Sequence, residues 1–540
     1  MVVTFVQDPG RPFGEDDGSA VPEVPQHLLE RHGARVLNPA NALVAGDPYP
    51  APRSTAYRTG SMLIPNDILR DKEIIAGFNR ELAVAHMELV PPRRNDFGER
   101  FPRLARPVQL RVAAGATTPI QVDSWRAVQT LRMAATGARL KKDIVDRISV
   151  DHLMFGTVEI GGSPWEASGG IGGAPWEASG GGGYVRGHSG GRIPVALAMP
   201  APARGKPDRR PVVAVLDTGI GPHPWFGFLD RSGPPPANSP IKVFPALQEA
   251  IRIQGEEAAA TSPTRVLLDY WDSPVTDNPL IGVLDRDTGH GTFIAGVVHQ
   301  SAPEADVLAV RVMHSDGVAY ESDVLLALEG LAHRVEQAQQ GGSLDDMIDV
   351  VSLSLGYFDE AGAPSQFTGH LLAVLDRLRE LGVLVFAAAG NDATSRRFYP
   401  AAFAELPPGA GPQLISVGAL NPGNTRALFS NEAPWVRAWA TGAGVVSTFP
   451  IDVQGSIAAG FAPAANRSAL DLDDFRAGFA VWDGTSFAAP LAAAEVTAAM
   501  IKCATADPTI ALKAVDKAVT LKRAAAALKM AAGKKGSDDA

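Results

Sequence analysis

A serine at the mouth of a helix can serve as an acyl-transfer nucleophile, and Ser486 has that setting. Gly484-Thr485-Ser486-Phe487-Ala488-Ala489-Pro490 is a Gly-Thr turn running into a long Ala-rich stretch of helical character. There the hydroxyl lies at the positive end of the helix, with the backbone N–H free to point at whatever is attacked. A serine hydroxyl holds its proton too tightly to attack unaided, so the chemistry needs a base and a carboxylate that orients the base. His290, in Asp287-Thr288-Gly289-His290-Gly291-Thr292, stands ahead of the apolar run 293–298. Imidazole titrates near neutrality, as a proton shuttle must. Asp217 ends the apolar run 212–216. A second histidine, His223, is nearer to Asp217 in sequence. We assign His290 as the base because glycines on both sides leave room for serine and substrate; His223 reads as a packed structural residue.

The three residues occur in the order Asp, His, Ser, the order of subtilisin and not that of chymotrypsin or the α/β-hydrolases. With VAVLDTGI, GHGTFIAG and GTSFAAP in place, roughly residues 207–505 resemble the subtilisin-like serine proteases, the subtilase family. The resemblance implies peptide-bond hydrolysis through an acyl-enzyme, with Asp217, His290 and Ser486 as triad. It also implies an oxyanion hole made by the Ser486 N–H and the side-chain amide of Asn391, which follows Ala387-Ala388-Ala389-Gly390 as the family's oxyanion asparagine does. Ser352-Leu353-Ser354-Leu355-Gly356 resembles the strand that pairs with the substrate backbone. Ser354, Leu355 and Gly356 are therefore expected to bind substrate, Gly356 by leaving room for close approach. Ala389 and Gly390 are expected to line a roomy apolar first pocket. The chemistry calls for no cofactor and no catalytic metal. Subtilases often bind structural calcium, for which Asp471, Asp473 and Asp474 are candidates, a solvated acidic turn being the alternative. One departure from the family pattern is Asp483, in place of a small residue before Gly-Thr-Ser; solvent exposure is expected for it.

These groups must be positioned by elements read from periodicity. Strand-like runs occupy 212–216, 306–312, 348–355, 382–388 and 413–417. Helix-like runs begin at 291 and cover 322–339 and 365–381. Apolar strands without polar alternation, separated by helices, predict a mostly parallel sheet in a three-layer α/β domain, with functional groups at the carboxyl ends of its strands. The Pro-rich stretch 232–245 and the region to 279 read as a surface insertion. Ahead of this domain, 56–155 reads as a ferredoxin-like α+β domain: strand 61–64, a helix from Asn66 to about 82, strands 84–89 and 108–112, a helix capped by Asp123 to about 135, and strand 148–155. Subtilases commonly carry such a domain as a propeptide; a permanent regulatory domain fits the same pattern. Residues 1–55 read as mostly irregular. Residues 156–206 read as a Gly-rich linker in which Pro-Trp-Glu-Ala-Ser occurs twice, at 164–168 and 175–179, and 506–540 as a Lys-rich helical tail with a solvated basic face.

Composition bounds the rest. The chain has 540 residues and a net charge of −10, which argues against a nucleic-acid partner and leaves a protein or peptide substrate. One cysteine, Cys503, excludes an intramolecular disulfide. The first residues lack a basic and then apolar leader pattern, and no run reaches about 18 uninterrupted apolar residues. A cytoplasmic protein without a membrane span is the expectation.

Overall fold

The computed structural model describes residues 3–5, 24–90, 92, 97–115, 120–157, 192–197, 199–274, 284–361, 369–453 and 475–533. The N-terminal part supplies β1 (Val3–Phe5), α1 (Gln26–Arg31), β2 (Ala34–Val36), β3 (Ala56–Pro65), α2 (Asn66–Leu69), α3 (Lys72–Leu82), β4 (Met87–Val90), β5 (Ala105–Val112), α4 (Ser124–Thr136), α5 (Lys142–Val145) and β6 (Ser149–Gly156). Strands β6, β3, β5 and β4 lie side by side in that order, all antiparallel, which is the ferredoxin-like arrangement. Apolar residues of α3 and α4, among them Phe78, Leu82, Trp125 and Leu131, pack with Met62, Ile64, Val108 and Val150 of the strands. The Asp123 carboxylate accepts from the Arg126 N–H at the start of α4, satisfying one of the donors that a helix start leaves open.

The helix expected from Asn66 to about 82 is two helices. The Asp71 side chain accepts from Glu73 and Ile74 N–H and caps a second start. Residues 1–55 also hold more structure than expected: β1 pairs with the edge of the large sheet and β2 with β3. Three-residue strands carry no periodicity to read, and their pairing is decided by tertiary contact.

The remaining elements are β7 (Ile193–Pro194), β8 (Val212–Asp217), β9 (Ile241–Val243), α6 (Pro245–Ala259), α7 (His290–Ser301), β10 (Asp306–Arg311), β11 (Val318–Tyr320), α8 (Glu321–Gln339), β12 (Val350–Leu353), β13 (Leu355–Phe358), α9 (Gly369–Glu380), β14 (Leu384–Ala388), β15 (Phe398–Tyr399), β16 (Ile415–Leu420), β17 (Ala438–Thr441), β18 (Val445–Thr448), β19 (Phe479–Trp482), α10 (Thr485–Ala506) and α11 (Lys517–Gly533). The large sheet runs β1-β17-β16-β14-β12-β8-β10-β9, parallel throughout except at β1. Successive residues of a strand serve opposite layers. On β8, Ala214 and Leu216 join a core with residues of α6, α8 and α9, whereas Val213 and Val215 join one with residues of α7, α10 and α11. The result is a three-layer α/β domain. The run 348–355 is not one strand: after Ser354 the chain leaves the large sheet, and β13 pairs with β6 and β15.

Two further expectations change. The region 232–279 is not merely a surface insertion, because β9 closes one edge of the large sheet and Leu247, Ala250 and Ile251 of α6 belong to the core. Pro245 occupies the first position of that helix, where its missing N–H is not needed. The C-terminal helix α11 is not a free basic rod. Its Ala524 and Ala527 are buried, and Arg523, 1% exposed, donates to the carbonyls of Ala511 and Ala514. Helix α10 is long and apolar enough to cross a membrane by length and composition, yet 78% of its apolar window is buried inside the protein, the environment of a core helix. The Pro-Trp-Glu-Ala-Ser copies and Asp471, Asp473 and Asp474 lie outside the described residues.

Candidate active site

Asp217 ends β8 at the carboxyl edge of the parallel sheet, and His290 opens α7 behind Gly289, whose φ of 84° places it in the left-handed region. Asp217 Oδ1 accepts from Thr218 N–H at 2.7 Å and from His290 Nδ1 at 2.8 Å. A carboxylate can only accept, so Nδ1 carries the proton and Nε2 faces away from Asp217. A buried acid that sequence reasoning missed joins the two turns. Asp272 Oδ2 accepts from the Thr218 hydroxyl at 2.9 Å and from Gly289 N–H at 2.6 Å, while Thr218 Oγ1 accepts from Gly291 N–H at 3.0 Å. Burial works against an imidazolium at His290, but the Asp217 carboxylate outweighs it, and the pKa is held above the ordinary 6.5. The flanking glycines do a different job from the one expected. A Cβ at Gly289 would enter the Phe449 ring, and one at Gly291 would strike the Gly219 carbonyl, so both serve local packing. His223 is buried against Trp225, Phe226 and Phe479, its Nδ1 accepting from Trp225 N–H. Burial lowers its pKa to about 4.

Ser486 is the second residue of α10, and its hydroxyl is 2.5 Å from the hydroxyl of Thr157, the residue just past β6. His290 Nε2 has no hydrogen-bond partner among the described residues. Asp217 and His290 are therefore joined, while the serine hydroxyl is held on Thr157. Asn391 donates its Nδ2–H to the backbone carbonyl of that same Thr157. The amide is fixed in this sense by Thr485: Asn391 Oδ1 accepts from Thr485 N–H at 2.9 Å and from the Thr485 hydroxyl at 2.8 Å, and Thr485 Oγ1 accepts from Gly390 N–H at 3.1 Å. Asp483 accepts from Gly444 N–H at 2.5 Å, turned toward that loop.

The backbone approaching Thr157 lies between two strands of the α/β domain. Gly156 pairs antiparallel with Leu355 and Phe155 with Gly356 on one side; Phe155, Met154 and Leu153 pair with Val318, Ala319 and Tyr320 on the other. Ser354 touches both Thr157 and Ser486: its carbonyl accepts from Thr157 N–H at 3.1 Å, and its hydroxyl donates to the Ser486 carbonyl at 2.9 Å. Gly356 pairs with Phe155, and its missing side chain also makes room for β15, since a Cβ there would strike the Phe398 ring and the Tyr399 carbonyl. Ala389 is fully buried, and its carbonyl accepts from Asn431 Nδ2 at 2.9 Å. Gly390, at φ 102°, has no room for a side chain beside Asn431. Asn431 thus buttresses the turn that presents Asn391. Thr485 was within reach of the sequence, lying inside the Gly-Thr-Ser motif; Thr157 and Asp272 carry no motif at all.

The model of the subtilase family matches residues 208–537. Among curated proteins the chain is similar to subtilisin-like proteinase Mp1 of Magnaporthiopsis poae, 30% identical over 165 residues, covering 30% of this chain and 37% of that protein. It is likewise similar to subtilisin E of Bacillus subtilis (strain 168), 30% identical over 176 residues, covering 30% of this chain and 39% of that protein. The aligned part is thus well under half of each relative. A crystal structure of a cold adapted subtilisin-like serine proteinase is matched over 60% of this chain and 86% of that one, at 18% identity and a TM-score of 0.33.

Proposed function

The chain belongs to the subtilase family, and on that premise we propose that it is a serine endopeptidase whose first substrate is its own Thr157–Val158 bond. One observation carries the reading: the Thr157 carbonyl accepts a hydrogen bond from the Asn391 amide beside Ser486, at the end of a backbone laid antiparallel along β13. A peptide carbonyl held by a fixed amide next to a serine hydroxyl is a substrate in position for attack.

The steps follow from the residues present. The Ser486 hydroxyl leaves Thr157 and turns to His290 Nε2, which takes its proton as Oγ bonds to the Thr157 carbonyl carbon. Negative charge moves to the carbonyl oxygen, met by Asn391 Nδ2–H and by the free N–H of Ser486 at the start of α10. Asp217 steadies the imidazolium through Nδ1. When the C–N bond breaks, His290 returns the proton to the departing amine of Val158. Water then repeats the sequence on the acyl-enzyme and restores Ser486. No cofactor enters these steps.

In this reading the ferredoxin-like domain is a propeptide that blocks the cleft until it departs. Ser354, Leu355 and Gly356 bind later substrates by the backbone pairing they make with 155–157, and Ala389 and Gly390 hold the turn bearing Asn391. A single cysteine suits a reducing compartment and supports an intracellular site of action. Labelling by a fluorophosphonate tests the assignment. After incubation that permits self-cleavage, we expect the wild-type chain to take up one phosphonyl group and hydrolyse casein peptides, and Ser486→Ala to do neither. A wild-type chain inert to probe and peptides between about pH 7 and 9, where a histidine base is deprotonated, overturns it.

A further inference from the structure

We propose that the cleft contains a cation-binding subsite, built from Glu321, Glu360 and Tyr357, that selects substrates carrying His, Arg or Lys five residues before the residue whose carbonyl is attacked. The proposal rests on the endopeptidase reading of the same cleft.

His152 of β6 is fully buried. Its Nδ1 lies 2.6 Å from Glu321 Oε2 and its Nε2 2.8 Å from Glu360 Oε2. The ring stacks on Tyr357, with centroids 4.5 Å apart and planes at 25°. A neutral imidazole has a single N–H, so two carboxylate partners suit an imidazolium donating from both nitrogens. Burial alone lowers the His152 pKa, but Glu360 and Glu321 outweigh it and hold it well above 6.5.

The walls and the occupant belong to different domains. Glu321 opens α8, Tyr357 lies in β13 and Glu360 follows it. His152 belongs to the ferredoxin-like domain, as does Arg132, whose charge also acts on Glu360. Departure of that domain removes both cations together and leaves the carboxylates behind. Glu321 Oε1 has no hydrogen-bond partner among the described residues even with His152 in place, so the site has acceptor capacity beyond one imidazolium. A buried carboxylate without a partner is costly, and a cationic side chain stacked on an aromatic ring relieves that cost.

Strand register fixes where the cation must stand. With Thr157 at Ser486, Gly156 opposite Leu355 and Leu153 opposite Tyr320, the residue that reaches the two carboxylates is His152. Backbone pairing repeats in any extended peptide and does not read sequence. The double carboxylate does read it.

Peptides ending in Gly-Thr before the scissile bond test this with the enzyme after its own maturation. Glycine is kept because a Cβ at position 156 would come within 3.0 Å of Asp287 Oδ1 and Met313 Sδ. The residue five before the threonine is varied among arginine, its neutral analogue citrulline, histidine and glutamate. We expect kcat/KM for arginine over citrulline to be about ten- to a hundredfold, with glutamate poorest. In Glu321→Gln and Glu360→Gln the ratio should fall toward one. The ratio is internal to each variant, so a loss of folded enzyme lowers both values and leaves it unmoved. Equal hydrolysis of all four peptides by wild type overturns the subsite and leaves the protease standing. Absence of Ser486-dependent hydrolysis of any peptide overturns the protease reading, and the subsite with it.

Discussion

The Ser486 hydroxyl is engaged by Thr157, with the Ser354 carbonyl at 3.5 Å, and not by His290. His290 Nε2 waits without a partner among the described residues. In the proposed self-cleavage, the side chain preceding the bond to be cut therefore restrains the nucleophile. Thr157→Val keeps the shape and removes the hydroxyl. We expect the intact chain to cleave itself about two- to tenfold faster, the worth of one neutral hydrogen bond, read as the rate at which full-length protein disappears on a gel. A slower or unchanged rate contradicts that role. The four principal residues, Asp217, His290, Asn391 and Ser486, were legible because each sits in a short motif whose glycines and apolar flanks announce a strand end or a helix start. Their supporting partners were not. Asp272 lies in a stretch whose prolines suggested an insertion, His152 sits in the middle of a mostly apolar strand, and Thr157 lies just past its end. Nothing local marks a residue whose partners lie on other elements, 17 and 54 positions away for Asp272 and more than 150 for Thr157 and His152.

At the scale of elements, the large parallel sheet was readable because strands covered on both faces must be apolar throughout. The elements misread are those whose meaning is tertiary: β1, β9, α6 and α11. Helix α11 has five lysines and arginines in and just before it in sequence and a weak apolar stripe, so a solvated face was the natural expectation. Packing decides otherwise, because Arg523 reaches inward. It lies 3.6 Å from Asp349, which also accepts from Arg209 at 2.6 and 2.9 Å, and it donates to carbonyls of the turn before the helix. Replacing it strands those acceptors in the interior, although Arg209 still neutralises Asp349. Arg523→Ala should thus destabilise the α/β domain by about 2–3 kcal/mol, measured by urea unfolding of the Ser486→Ala chain so that self-cleavage does not intervene. A change under about 0.5 kcal/mol, the usual range for surface positions, contradicts an internal role for that arginine.

At the scale of the molecule, the ferredoxin-like domain is docked through a titratable interface. His152 is held well above 6.5 in the docked state, so its contribution to docking is complete below that value and is lost as pH rises through the raised one. Glu321 and Asp359 act in the same sense: burial raises both, Asp359 to about 8, so each becomes an unfavourable buried charge as it ionises. Glu360 is buried too, but His152 holds its pKa below 4.5, and its contribution is lost only in acid. Burial lowers the Arg132 pKa and lifts that of Tyr357 well above its ordinary value. After cleavage the domain should remain bound longest between about pH 5 and 6.5 and depart faster as pH rises past 8, followed by size exclusion at fixed times. Faster release in mild acid contradicts the sign.

The most direct measurement is intact mass of the purified chain beside its Ser486→Ala counterpart. We expect two wild-type fragments, one ending at Thr157 and one beginning at Val158, and a single uncut mass for Ser486→Ala. Scission of both chains at that bond, or a wild-type chain still whole under conditions where it labels with phosphonate, contradicts the cleft as drawn.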